Sequence, residues 1–211
     1  MFMGPATQWM YAGTLDVRNS GAHGDGVRTD TDAINRAIRR VSSRGGGTVY
    51  FPAGTYLCGS IQLLSRVRLY LERGAVLKAV ANETAYEEAE PNPHDAFQDF
   101  GHSHWKNSLI WAIGESNIAI EGGGLIDGQA LTADSRKRIA DKAIGLKLCR
   151  GVVLRDFSML RCGHFAVLAT GVDDFTLDNL KIDTNRDGIN IDACRNTRIS
   201  NCLVNSPLDD A

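Results

Sequence analysis

The 211-residue chain carries 23 Lys and Arg against 25 Asp and Glu, a formal net charge of -2 at pH 7. That balance excludes the cationic footprint of a nucleic-acid-binding domain, and no apolar run approaches the ~18 residues a membrane-spanning helix needs. Hydrophobic residues make up 43% and charged residues 23%, with five prolines and 22 glycines, which fits one packed, turn-rich domain rather than a disordered chain.

The amino-terminal stretch from Met1 to Met10 lacks the basic region and apolar core of a signal peptide. A helix is expected over residues 30–43. Asp30 or Thr31 can cap it, Ile34, Ala37, Ile38 and Val41 follow the 3.6-residue apolar period, and Gly45-Gly46-Gly47 stops it. Short strands follow, punctuated by Gly, Asn and Asp. Examples are Thr48–Phe51, Val67–Leu71, Asn117–Ile120 and Phe175–Leu177. Residues 81–106, rich in Glu, Pro, His and aromatic side chains, read as a surface insertion. Residues 130–142 read as a second, polar insertion with a short helix. Cys58, Cys149, Cys162, Cys194 and Cys202 show neither a CxxC pair nor zinc spacing and read as buried thiols.

The strands repeat. Leu154, Leu177 and Ile199 form a column at spacings of 23 and 22 residues. Phe157, Leu180 and Cys202 form a second column, and Met159, Ile182 and Val204 a third. Asp156, Asn179 and Asn201 form a polar fourth, and Ile120, Gly123 and Leu125 continue the pattern one copy earlier. One copy is too short to bury its own apolar face, so copies must stack. The reading is all-β: a right-handed parallel β-helix with an N-terminal capping helix, coils about 4.8 Å apart, and side-chain amides bonding along the polar column. Val172 shares a column with Cys149 and Cys194, which places those thiols in the core. A leucine-rich repeat has a similar period, but its Leu columns and fixed Asn/Cys match poorly.

Asp187 and Asp209 stand 22 residues apart, one repeat, and Asp210 follows directly. In a solenoid three carboxylates then gather in one surface patch. Like charges this close disfavour one another's ionisation, so one proton is retained for a general acid while a neighbouring carboxylate activates water. Consecutive strand residues face opposite sides, so Asp209 and Asp210 share a cleft only if the chain turns near Pro207. Asp173, Asp174 and Asp178 read as turn residues. His164 lies one coil below the acids, as a sugar-subsite residue or a polar turn residue. His94, His102 and His104 crowd the first insertion at a spacing loose for a metal site, and the insertion reads as a cleft wall. Phe97, Phe100 and Trp105 can stack on sugar rings or pin the insertion.

Four stretches resemble glycoside hydrolase family 28, the polygalacturonases. They are Gly21-Ala-His-Gly-Asp-Gly-Val-Arg-Thr-Asp-Thr-Asp-Ala-Ile34; Gly45 to Tyr56; Ser108-Leu-Ile-Trp-Ala with Asn117 to Gln129; and Asn185-Arg-Asp-Gly followed by Asp209-Asp210. The first two say fold and the last carries the specific signal. The resemblance implies hydrolysis of galacturonic-acid-containing, pectic polysaccharide with inversion. Asp209 is the general acid, and Asp187 and Asp210 hold and deprotonate water. It implies no cofactor and no metal, a monomer when full length, no nucleic-acid or membrane partner, and a secreted or periplasmic location. Arg186 stands where the family usually has Thr, either facing a substrate carboxylate or solvated. The family's downstream Gly-His-Gly and Arg-Ile-Lys motifs are not in the chain. Residues 1–211 are therefore expected to be one β-helix domain truncated at its C-terminal end, the N-terminal portion of a longer enzyme, inactive and aggregation-prone alone. Two rival readings are a calcium-dependent pectic lyase, using the aspartates as cation ligands, and a non-catalytic adhesin or tailspike-like module.

Overall fold

The computed structural model describes residues 13–94, 96–134 and 140–211. The chain winds through three faces, A, B and C, in fixed order. The first coil holds β1 (Thr14–Asp16) on face A and β2 (Asp25–Thr29) on face B, and then helix α1 (Thr31–Ser43) where later coils place a strand. The second is β3 (Gly47–Phe51), β4 (Gly54–Cys58) and β5 (Ile61–Gln62), and the third β6 (Val67–Leu71), β7 (Ala75–Ala79) and β8 (Ser108–Ile113), with helix α2 (Phe100–Ser103) before β8. The fourth is β9 (Ser116–Glu121), β10 (Leu125–Asp127) and β11 (Lys142–Lys147). The fifth and sixth are β12 (Arg150–Arg155), β13 (Ser158–Leu160), β14 (Phe165–Thr170) and β15 (Asp173–Asp178), β16 (Lys181–Asp183), β17 (Asp187–Asp192). β18 (Arg195–Ser200) and β19 (Leu203–Asn205) follow. Among the described residues the result is three parallel sheets of 7, 7 and 5 strands, a parallel β-helix. Among the described residues no helix is long and apolar enough to cross a membrane.

Register carries the core. On face A the pairs link Leu15, Val49, Leu69, Ile120, Leu154, Leu177 and Ile199 into one inward column. On face B, Tyr56, Leu77, Ile126, Met159, Ile182 and Val204 form the second. Ile61, Ile110, Ile144, Val167 and Ile189 form the third on face C. The repeat read from sequence is therefore the physical one, with one correction. Ile126, not Leu125, stands opposite Met159, because the bend through Gly122–Gly124 is one residue longer than the bends above it. Gly122 has φ 103 there, and a Cβ on it would run into the Leu71 carbonyl.

The polar column turns the corner between faces A and B. Asp156, Asn179 and Asn201 all take left-handed backbone, with φ 70, 52 and 55. Asn and Asp tolerate that conformation better than other residues with side chains. The Asn179 amide donates to Asp156 (2.9 Å), but Asn201 reaches Asp178 (2.9 Å) rather than Asn179. Cys149, Val172 and Cys194 stack at the corner between faces C and A, and all five cysteines are free thiols. Asp173, Asp174 and Asp178, expected at turns, lie instead in β15, Asp174 with left-handed backbone, and are tied to the coil above: Asp173 to Arg195 through two bonds (2.9 and 2.6 Å), Asp174 to Asn196 and Asp178 to Ser200.

Helix α1 buries Ala33, Ile34, Ala37, Ile38 and Val41 against the first coils. Asp30 precedes it but makes no side-chain cap. Its carboxylate accepts from the His23 and Gly24 N–H groups (2.7 and 3.0 Å), while the Thr31 hydroxyl accepts from Gly59 N–H. The chain between β7 and β8 packs over the outer side of face C. Glu90 accepts from the Trp105 and Lys106 N–H groups, and Trp105 is buried with Lys147 3.9 Å from its ring centre. Gly145 allows this approach: a Cβ there would sit 2.6 Å from the Trp105 carbonyl oxygen. The middle of the second insertion, 135–139, and the helix expected in it lie outside the described residues, as does the amino-terminal stretch 1–12.

The column predicts a gradient of stability. Leu177 is fully buried while Ile199, one coil higher, is 49% exposed. Leu177→Ala is expected to cost about 2–5 kcal/mol, and Ile199→Ala about 1 kcal/mol or less because only part of its surface leaves water. Midpoints of urea unfolding for the two variants measure the difference. Equal costs would show that Ile199 is buried in solution.

Candidate active site

The corner where face B turns into face C carries the polar side chains singled out by the sequence. His164 ends that corner just before β14, Arg186 does so before β17, and Asp209 lies on the next coil. β14 and β17 align Phe165 with Asp187, so His164 lies below Arg186. The Arg186 Nη2 is 2.9 Å from His164 Nε2 and 2.8 Å from Asp209 Oδ2. Asp187 is 6% exposed and accepts from the Asn190 amide at 3.1 Å.

The chain turns after Pro207, as the positions of Asp209 and Asp210 require. Ser206 organises that turn. Its hydroxyl lies 2.6 Å from the Arg186 carbonyl oxygen and 3.0 Å from those of Asp209 and Asp210. The Gly188 and Ile189 N–H groups donate to the Asp210 and Ala211 carbonyls (2.9 and 2.8 Å), which carries the face-C ladder onto this coil. The structure thus brings Asp187, Asp209, Arg186 and His164 into contact. Asp210 is exposed at the edge and is tied in through its backbone.

Burial pushes the Asp187 carboxyl up from the usual carboxylate range. The Asn190 amide opposes this, and the charge and hydrogen bonding of neighbouring Asp209 reinforce it. His164 moves the other way, down to about 4. Burial is the main cause, followed by the Arg186 guanidinium, then His102 and Lys142, with Asp99 opposing. Geometry requires the same state. A guanidinium only donates, so His164 Nε2 must accept, and the ring is the neutral Nδ1–H tautomer. The 3.9 Å approach of His164 Nε2 to Asp187 is therefore a contact with a neutral ring and not an ion pair.

Among the described residues, His164 Nδ1, Arg186 Nε and Asp187 Oδ1 in this cluster are buried without a hydrogen-bond partner. Beneath it lies a fully buried Asp141–Lys142 pair, joined by Asn107. Burial raises the Asp141 carboxyl and lowers the Lys142 ammonium. The Asp141 carbonyl accepts from the His164 and Phe165 N–H groups (2.7 and 3.2 Å), which fixes the site's floor. His102 stands edge-on to Phe165 and His164 at ring distances of 4.8 and 6.2 Å. His104 instead stacks on Phe100 at 4.1 Å, and Phe97 is exposed. A shallow recess of ≈ 350 Å³, lined by Leu160, Arg161, Asp183, Thr184 and Asn185, opens beside Arg186.

Sequence reasoning found the acids through their one-coil spacing. It did not find the Arg186–Asp209 and Arg186–His164 contacts, nor Asn190, Ser206, His102 or the buried Asp141–Lys142 pair. Asn190, three residues after Asp187, was the one with a readable offset.

Three parallel sheets wound into a β-helix define the class of fold. The comparisons narrow it. Residues 14–70 match the family model for rhamnogalacturonase A/epimerase, pectate lyase-like proteins, a stretch that precedes every site residue. A Vitis vinifera protein named "Probable polygalacturonase" is 29% identical over 200 residues, 87% of this chain and 40% of its own length. An endo-polygalacturonase of Pectobacterium parmentieri is 27% identical over 197 residues, 82% of this chain and 48% of its own length. The solved family 28 exopolygalacturonase of Yersinia enterocolitica shares the fold at a TM-score of 0.80 and 22% identity, over 92% of this chain and 43% of its own. The chain is similar to polygalacturonases, and it spans less than half the length of each of these three proteins.

The buried carboxyl has a cost in stability. Because the Asp187 carboxyl is raised in the folded state, its ionisation destabilises the fold as pH rises through that value. Asp187→Asn is expected to raise the unfolding midpoint at neutral pH, with the gain shrinking on acidification. His164 gives the opposite slope. The unfolded state takes up its proton near pH 6.5 and the folded state only near 4, so stability is lost as pH falls across that window. His164→Gln removes this slope, and thermal melts across the pH range read both effects.

Proposed function

We propose that the protein hydrolyses glycosidic bonds in a galacturonic-acid-containing, pectic polysaccharide with inversion at the anomeric carbon. The observation that carries this reading is the gathering of Asp187 and Asp209 on successive coils at one corner, with Arg186 2.8 Å from Asp209 and the Asp210 N–H donating to Asp209 at 3.2 Å. Such a set has the carboxyls the reaction needs, one to give a proton to the leaving oxygen and others to activate water. Asp209 protonates the leaving oxygen, and Asp187 and Asp210 orient and deprotonate the attacking water. Similarity to polygalacturonases over more than four-fifths of the chain supports the substrate class.

The test is reducing-sugar release from polygalacturonate by the full gene product. Asp209→Asn and Asp187→Asn are each expected to lower it by about 10²–10⁴-fold, the usual contribution of a general acid or base, with circular dichroism unchanged. Anomeric proton spectra recorded in the first minutes read the stereochemistry. Wild-type rates in Asp209→Asn would remove that residue from the mechanism, and an unsaturated product would replace hydrolysis with elimination.

A further inference from the structure

We propose that the protein takes its polysaccharide by a chain end, because the segment between β7 and β8 closes the outer side of face C one coil below Asp187. The inference deepens the hydrolase reading and rests on it for the identity of the polymer.

A polymer lying against Asp187 and running down the solenoid would next meet the outward residues of β14 and then those of β11. Pairing sets these residues in two files. Lys142, Phe165 and Asp187 form one, and Trp111, Gly145, Leu168 and Asn190 the other. Access stops at the same level in both. Asn190 on β17 is half-buried, whereas Phe165, Leu168 and Lys142 expose nothing. Neighbouring strands of a sheet stand about 4.8 Å apart, so the cover begins one such step below Asp187.

The cover is a seated wall. Trp105 packs with Phe165 and Leu168 in an apolar cluster separate from the solenoid core. Its carbonyl oxygen accepts from the Ser108 hydroxyl at 2.7 Å and lies close over Gly145, where no side chain intervenes. The Glu90 carboxylate accepts from the Trp105 and Lys106 N–H groups (3.1 and 3.0 Å), and the Asn107 amide donates to Asp141 at 3.0 Å. Lifting the segment would leave these buried polar groups unpaired. At the rim His102 stands edge-on to Phe165 at 4.8 Å and 6.2 Å from the His164 ring, so the wall reaches the edge of the acid site itself.

A polymer threading past the acids along face C would have to occupy the space that Trp105 and His102 fill. A chain end does not. Its terminal units abut the wall, and the remainder runs away from it over β17. Hydrolysis then adds one water across one glycosidic bond and yields a short oligosaccharide and a polymer shortened by the same units. The wall sets how many units fit below the bond that is cut, so the released product has one length.

Binding reads this without turnover, in the full gene product carrying Asp209→Asn. Polygalacturonate is separated into a short and a long fraction, and light scattering gives the number of protein molecules per polymer chain at saturation. The expected number is the same for both fractions. A number that grows in proportion to chain length overturns the proposal, and no binding to either fraction overturns it together with the pectic reading. With the unsubstituted protein the expected outcome is a single short product from the earliest times and almost no loss of viscosity. A ladder of product sizes with an early collapse of viscosity overturns the proposal as well. Gly145→Val sets a side chain against the Trp105 carbonyl and tests the wall. In such a protein, once acrylamide quenching shows its tryptophan emission opened to solvent, the long fraction should bind more molecules per chain than the short one. An unchanged number there would show that the segment is not what confines binding to chain ends. The measurements separate the two readings. Equal numbers per chain in a protein that releases no reducing sugar sink hydrolysis and keep end-on binding, whereas turnover with length-proportional binding does the reverse.

Discussion

No single coil of this chain can bury its own apolar side chains, so everything in the structure depends on neighbouring coils sharing one register. Backbone hydrogen bonds between parallel strands hold that register, and each apolar column follows from it. Leu69, Ile120, Leu154 and Leu177 are core residues because each covers the next. The same rule fixes the chemistry. Lys142, Phe165 and Asp187 stand in one file on face C because β8, β11, β14 and β17 pair in step.

That file shows how the environment changes along the solenoid. Lys142 is fully buried under the packed loop and needs Asp141 beside it, since an unpaired ammonium there would be prohibitive. Phe165 is equally buried, with His164 stacked on it at 4.1 Å. At Asp187 the loop cover ends. The carboxyl is desolvated on one side by the coils below and faces charged groups on the other. A carboxyl at such a boundary can keep a proton longer than an exposed Asp while remaining within reach of a ligand.

Much of the fold was legible because the period is nearly constant in the upper coils. Leu154, Leu177 and Ile199 could be aligned by counting. The count slipped at Ile126, where an extra bend residue leaves hydrophobicity unchanged on both sides and so leaves no trace in composition. The helix was legible from its apolar stripe, but the duty of Asp30 was not, because its carboxylate serves the His23–Gly24 turn instead of the helix end. At the site, spacing showed that Asp187 and Asp209 lie one coil apart. It could not show that Arg186 bends towards Asp209, since that depends on side-chain direction at a corner where strand alternation no longer applies.

The corner between faces B and C has a further meaning. Both long excursions of the chain, between β7 and β8 and between β10 and β11, leave from it, and His164, Arg186 and Asp209 occupy the same corner on later coils. The other two corners are kept short by stacked Asn, Asp and Cys side chains that tolerate little change. One edge of the solenoid is thus free to vary while the rest is constrained to repeat. Residues there can be lengthened, shortened or exchanged without moving any ladder, so new specificities can arise along a single seam of an otherwise unaltered scaffold.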